Sequence, residues 1–183
     1  GENSFVLQSY FNITIFFRKI LLPITLVYIL MFPIFKKLIS KRWGAFSYNY
    51  SFRDILYIWT SLFINIGLTI NIILKSFWGR ARPNDIFQLD GDGYFTPWYQ
   101  ISDSCNSNCS FVSGDAAVGF SMIAIYMITR NKYFLWLSVF LGLSLGTIRI
   151  LEGGHFFSDV LFAQLFVTIS FSVLFIFYTK LYA

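Results

Sequence analysis

The sequence predicts an all-α integral membrane protein: a multi-span helical bundle with five spans along this chain. Three observations predict it. Of the 183 residues, 56% are hydrophobic and only 13% charged, and the mean hydropathy of +0.63 leaves too little polar surface to cover a soluble core of this size. Apolar runs of helical length recur, against the ~20 residues that a bilayer core requires. The charges between those runs are sorted by position, as topology determinants are in membrane proteins. A chain of this length holds a single domain, 1–183, with no linker, repeat or composition shift. The formal net charge of +5 does not point to nucleic acid, because the basic residues sit in short clusters beside apolar runs rather than on one solvated face.

Taken in order, Gly1–Lys19 is a mixed, partly amphipathic stretch ending in Arg18 and Lys19. It either lies along the outer membrane surface or follows a span upstream of it. The first span, Ile20–Phe35, tolerates Pro23 and Pro33 because membrane helices accept proline. The second is Ile55–Leu74. The third, Ala116–Ile128 with its flanks, and the fourth, Phe134–Ile148, are short, so their polar ends are expected at membrane depth. The fifth runs from Phe156 to Tyr178.

Lys36, Lys37, Lys41, Arg42 and Arg53 crowd the first connection, Arg130 and Lys132 lie between spans three and four, and Lys180 follows span five. Threading puts all three groups on one side, which the positive-inside rule assigns to the cytoplasm. Ser76–Ser113 and the turn near Glu152–Gly154 then face outward. Cys105 and Cys109 fall in that outer loop and are either bridged, as an oxidising compartment would favour, or two free thiols. In the same loop, Asp90-Gly91-Asp92-Gly93 reads as a turn, being too short for a twelve-residue calcium loop and lacking its closing Glu. Tyr94, Phe95, Trp98 and Tyr99 are placed at the interface, around the entry for a lipid headgroup.

Four cations break the charge rule. Lys75, Arg80, Arg82 and Arg149 stand at the outer ends of spans. One alone would be a snorkelling side chain. Four at one face, joined by Asp115, His155 and Asp159, predict a site, because ionisable groups at membrane depth cost about 2.5–3.5 kcal/mol each on insertion scales and tend to be paired and functional. Pro83 is expected to stop the second span, turning Arg82 back over the pocket of Lys75. Ser113-Gly114-Asp115 opens span three, with Ser113 as a natural N-cap and amides aimed at an anion. Taken alone, Ser113-Gly114 is plain capping. His155 and Asp159 lie four apart on one helix face, where Asp159 can accept from one ring nitrogen and leave the other as a nucleophile. Arg80 faces either the substrate or one of the outer-loop aspartates Asp85, Asp90, Asp92 and Asp103, and Glu152 either holds Arg149 or repels a second phosphate.

Lys75-x6-Arg82-Pro83, Ser113-Gly114 and Arg149-x5-His155-x3-Asp159 together resemble the three-part signature of the type 2 phosphatidic acid phosphatase (PAP2) superfamily. Within it, Trp78-Gly79-Arg80-Ala81-Arg82-Pro83, Cys109-Ser110-Phe111-Val112-Ser113-Gly114-Asp115 and Gly153-Gly154-His155-Phe156-Phe157-Ser158-Asp159 are most similar to the bacterial lipid A 4′-phosphatases. The resemblance implies six spans in the intact protein, an upstream first span absent from this chain, and a place in the inner membrane with the site facing the periplasm. It implies that Lys75, Arg82, Arg149, Ser113 and Gly114 bind phosphate, that His155 attacks phosphorus, and that Asp159 orients it. No cofactor and no metal is expected, since guanidinium groups supply the positive charge. The expected partners are a phosphorylated lipid substrate and the surrounding membrane lipids; the sequence carries no signal of oligomeric state.

Asp115 departs from the pattern, which has a second His directly after Ser-Gly to protonate the leaving oxygen. Asp115 is that acid, or it positions a water or sugar hydroxyl or caps the span, or it marks lost catalysis. The readings therefore run from a lipid A phosphatase, the 4′ position favoured, to a phosphatase of lipid A 1-phosphate, isoprenyl pyrophosphate or phosphatidylglycerol phosphate, and to a non-catalytic lipid-phosphate binder. A transporter is disfavoured, because the charges gather at one face with no repeat or broken mid-membrane helix.

Overall fold

The computed structural model describes residues 2–39, 51–89 and 91–182. Lys41, Arg42 and Asp90 lie outside the described residues, as do the side chains of Lys36 and Lys37. The helices are α1 (Glu2–Ile39), α2 (Phe52–Leu62), a π-helical stretch (Phe63–Leu74) running on into α3 (Lys75–Trp78), α4 (Gly114–Phe120), α5 (Ile123–Thr129), α6 (Lys132–Leu151) and α7 (Phe157–Tyr182). Four of the described helical segments are long and apolar enough to cross a membrane.

The first span and the stretch before it form a single helix. Residues 2–19 contain neither Gly nor Pro to interrupt it, so α1 continues for 38 residues, ~57 Å at helical rise, well past a ~30 Å hydrocarbon core. The second span opens on Ser51, whose hydroxyl accepts from Arg53 N while Asp54 reaches back to Ser51 N at 2.8 Å, a capping box. It ends at Gly79 rather than at Pro83. Gly79 is left-handed, with φ +58°, and a Cβ there would lie 1.8 Å from the Ser102 carbonyl oxygen, so only glycine terminates the helix this way. Pro83 instead begins a short 3₁₀ turn, Pro83–Asp85.

The third span is the hub. Its two pieces, α4 and α5, part at Ser121, whose hydroxyl donates back to the carbonyls of Ala117 and Val118 at 2.8 and 2.7 Å, the kind of back-bond that bends helices. Almost every residue from Gly114 to Ile128 is buried, so this 16-residue segment meets protein rather than lipid along its length. Gly119 and Gly142 permit the approach of α4 to α6: a Cβ on Gly142 would lie 2.2 Å from the Phe120 ring.

On α7, Val160, Ala163, Val167 and Phe171 are at most 2% exposed, while Leu161, Leu165, Ile169 and Val173 are at least 44% exposed. Both faces of this helix are apolar, and only one meets protein. A helix with an apolar outer face of that kind is built for hydrocarbon, not water. Arg18 of α1, the end of α3, the start of α4, the end of α6 and the start of α7 meet at one end of the bundle, and Arg53, Arg130, Lys132 and Lys180 are at the opposite ends of their helices.

Candidate active site

The loop that enters α4 sets the site. Ser110 donates its main-chain N–H to the Arg80 carbonyl at 2.8 Å and its hydroxyl to Asp159 at 2.5 Å. Its own carbonyl oxygen lies 2.7 Å from His155 Nδ1. A carbonyl only accepts, so Nδ1 carries the hydrogen and Nε2 keeps its lone pair. Asp159 Oδ2 is 3.7 Å from Nδ1, too far for a hydrogen bond. The ring hydrogen bond expected from Asp159 is thus made by Ser110, and Asp159 acts on His155 as a nearby charge.

Asp159 itself is fully buried and saturated. It accepts from Ser110 Oγ, from Phe156 N at 2.8 Å and from Arg80 Nη1 at 2.5 Å. Arg80 also donates to the Thr96 carbonyl and to Ser158 Oγ, and its guanidinium stacks 4.1 Å from the Phe156 ring centre. Only 2% exposed, Arg80 stands behind the pocket. Its carboxylate partner is Asp159 rather than one of the loop aspartates expected for it.

The other cations gather around Asn108 and Asp115. Arg82 forks onto the Asn108 carbonyl through Nε and Nη2 at 3.0 and 2.7 Å, and Lys75 Nζ meets Asn108 Oδ1 at 3.3 Å. Asn84, just past Arg82, bonds to Gly153 O and Glu152 O at the end of α6, which draws Arg82 toward Arg149. Arg149 Nε lies 3.3 Å from Asp115 and its Nη1 2.5 Å from Glu152; a Cβ on Gly154 would collide with this guanidinium. Gly114 lies beside Lys75, an added Cβ there being 3.6 Å from Nζ, an ordinary van der Waals contact. Ser113 is buried and caps α4 by accepting from Ala116 N at 3.4 Å, so the plain capping reading is realised while its hydroxyl hydrogen stays available for donation.

Arg18 is the functional-site residue that the motifs missed. It reaches from α1 to Asp115 at 3.5 Å and to Glu152 at 3.0 Å. Its signal was a charge beside the first apolar run, indistinguishable from a snorkelling end. Asp115 thus sits between two guanidinium groups at the mouth, its side chain 25% exposed against 3% for Glu152 and 0% for Asp159. Cations outnumber carboxylates around this pocket, which suits a doubly charged anion. Cys105 and Cys109 are joined in a disulfide. The turn after Asp85 closes through Phe87 N to Gly93 O and Gly93 N to Asp85 O, both 2.7 Å.

His155 lies between the spans of α6 and α7. Burial pushes its pKa below the usual 6.5; Asp159 opposes that, and Arg149 and Lys75 add to it. The neutral, nucleophilic ring therefore persists below pH 6.5, and the acid limb of a pH profile of kcat/KM is expected below that value. Linkage has the same sign. Between the folded and unfolded pKa the unfolded chain binds the proton, so this group's contribution to stability is complete above pH 6.5 and falls as the medium is acidified. Titrating kcat/KM and the unfolding temperature in parallel checks both; an acid limb above 6.5 would contradict them.

Comparison with known proteins gives two results. The family model described as the PAP2 superfamily matches residues 54–182. The chain is 43% identical over 122 residues to a protein of Francisella tularensis subsp. novicida (strain U112) called lipid A 4′-phosphatase, covering 64% of this chain and 55% of that one. Proteins of the same name from Rhizobium leguminosarum and Rhizobium etli (strain ATCC 51251 / DSM 11541 / JCM 21823 / NBRC 15573 / CFN 42) are 31% and 32% identical, each over 62% of this chain and over 50% and 46% of their own lengths. The chain thus spans about half the length of the curated relatives it matches. No solved structure matches.

Proposed function

The chain belongs to the PAP2 superfamily, and we propose that it hydrolyses a phosphate monoester of a membrane lipid, the 4′-phosphate of lipid A being the favoured substrate. One observation carries the reading: a buried imidazole whose Nδ1 is tied to the Ser110 carbonyl, which leaves Nε2 its lone pair, with Arg149 and Lys75 near enough to act on the ring electrostatically. The likeness to proteins named lipid A 4′-phosphatase supports the choice of lipid.

In this mechanism the phosphate takes the donors of Lys75, Arg82 and Arg149, with Ser113 and the Gly114 amide as neutral donors. Nε2 of His155 attacks phosphorus as the bond from phosphorus to the lipid oxygen breaks, giving a phosphohistidine and a lipid hydroxyl. Asp159, anchored by Arg80, stabilises the positive ring. Water then displaces the histidine and leaves as inorganic phosphate. Asp115, displaced from Arg149 by the incoming phosphate, passes a proton taken from solvent to the departing oxygen and recovers one from the water that attacks the phosphohistidine. If so, Asp115→Asn lowers kcat by about 10²- to 10⁴-fold with little change in KM, measured by steady-state phosphate release; a change confined to KM would make Asp115 a positioning group instead.

On this reading the site faces outward, which Arg53, Arg130, Lys132 and Lys180 on the opposite side support, and the likeness to proteins named lipid A 4′-phosphatase supports taking that face as the periplasmic side of an inner membrane. The decisive experiment is mass spectrometry of bis-phosphorylated lipid A after incubation with the purified protein. Loss of one phosphate, with fragmentation placing it at 4′, supports the reading. Loss from the 1 position, or cleavage only of isoprenyl pyrophosphate or phosphatidylglycerol phosphate, replaces the substrate and keeps the reaction. Binding without any release would make the protein a lipid-phosphate binder.

A further inference from the structure

Three consecutive residues, Asn108, Cys109 and Ser110, touch most of the site from one loop. Ser110 holds His155 and Asp159. Asn108 holds Arg82 through its main-chain oxygen and Lys75 through its side-chain oxygen. Between them Cys109 is fully buried and bonded to Cys105. Asn108 lies inside that small covalent ring in a left-handed conformation, φ +51°, which Asn tolerates better than most residues.

The chemistry explains why such a clamp is useful. Lys75 and Arg82 are like charges beside a third, Arg149, and repel one another when no anion lies between them. An oxygen acceptor on each fixes their separation without neutralising either. Arg82 spends Nε and one Nη2 hydrogen on Asn108 and keeps Nη1 for a ligand; Lys75 spends one of three hydrogens. Closing so short a ring restricts the unfolded chain little, so the value of the bridge is local.

We propose that Asn108, pinned by the Cys105–Cys109 disulfide, is a positioning residue that spaces Lys75 and Arg82 for phosphate, so that phosphate affinity depends on the bridge being formed. This deepens the phosphatase reading and rests on it for the identity of the anion. Its reversible form is chemically simple. A dithiol reductant gives two electrons and two protons to the bridge, Cys105 and Cys109 become thiols, and the reductant becomes its own disulfide.

The test is titration of the purified protein with inorganic phosphate, which binds without being turned over. Asn108→Gly keeps the carbonyl and suits the left-handed backbone, removing only the Lys75 contact; Cys105→Ser with Cys109→Ser frees the whole clamp. Each is expected to weaken phosphate binding about tenfold or more, the scale of a lost hydrogen bond to a charged group, with the unfolding temperature of Asn108→Gly unchanged. Reduction by dithiothreitol should do the same to the wild type, and reoxidation should restore it. Unchanged phosphate affinity in Asn108→Gly and in the reduced protein overturns the inference, as does weaker binding that only follows a lower unfolding temperature. A wild type that binds phosphate in this bridge-dependent way yet cleaves no lipid would sink the phosphatase reading and leave this inference standing.

Discussion

Replacing His155 by alanine is expected to abolish phosphate release, by on the order of 10⁴-fold or more, as removing a covalent nucleophile does elsewhere. The chain contains a single histidine, so no second imidazole can stand in. The cations proposed to hold the phosphate keep their own partners in this variant, since the hydrogen bond and the nearby carboxylate of His155 come from Ser110 and Asp159. Binding of inorganic phosphate should therefore survive in His155→Ala while turnover disappears. Rapid acid-free quenching of the wild type with radiolabelled substrate should trap a base-stable, acid-labile label, absent in the variant. Turnover that persists in His155→Ala would remove the nucleophile from the mechanism, and with it the reason for burying a neutral ring there.

The residues of this site were legible in the sequence because their chemistry is costly in a membrane. Lys75, Arg82, Arg149, His155 and Asp159 stand out against apolar runs, and their order matches a known signature. Their bonding was not legible. Spacing alone put Asp159 on one ring nitrogen of His155, whereas the loop delivers the Ser110 carbonyl to Nδ1 at 2.7 Å, and Arg80 claims the aspartate. A carbonyl has no sequence signature, so a partner of that kind is invisible until the chain is folded. The same holds for Asn108, which serves Arg82 through its main chain. Arg18 was hidden for a different reason: its partners, Asp115 and Glu152, lie about a hundred residues or more away along the chain. Helix existence followed from hydropathy, but helix ends followed from backbone geometry. Gly79, through its left-handed φ and contact with Ser102, ends the second span before Pro83 can.

Arg80→Ala should be among the most damaging single substitutions in the protein, although only 2% of Arg80 is exposed. Its guanidinium is the charge partner of an aspartate with no solvent exposure. Removing one member of a buried pair strands the other, at about 3–5 kcal/mol, and here it also leaves the Thr96 carbonyl and Ser158 hydroxyl without their donor. Arg80→Lys keeps the charge but not the fork that reaches three acceptors at once, so it should recover only part of the loss. The two roles of the pair separate in a double variant. Arg80→Met with Asp159→Asn removes both charges, and its unfolding temperature in detergent should lie above that of Arg80→Ala. Activity should not return with it, because His155 has then lost the carboxylate that the proposed mechanism uses to stabilise its positive form. If activity recovers along with stability, Asp159 serves only as the partner of Arg80. In that case the histidine is oriented by the Ser110 carbonyl alone.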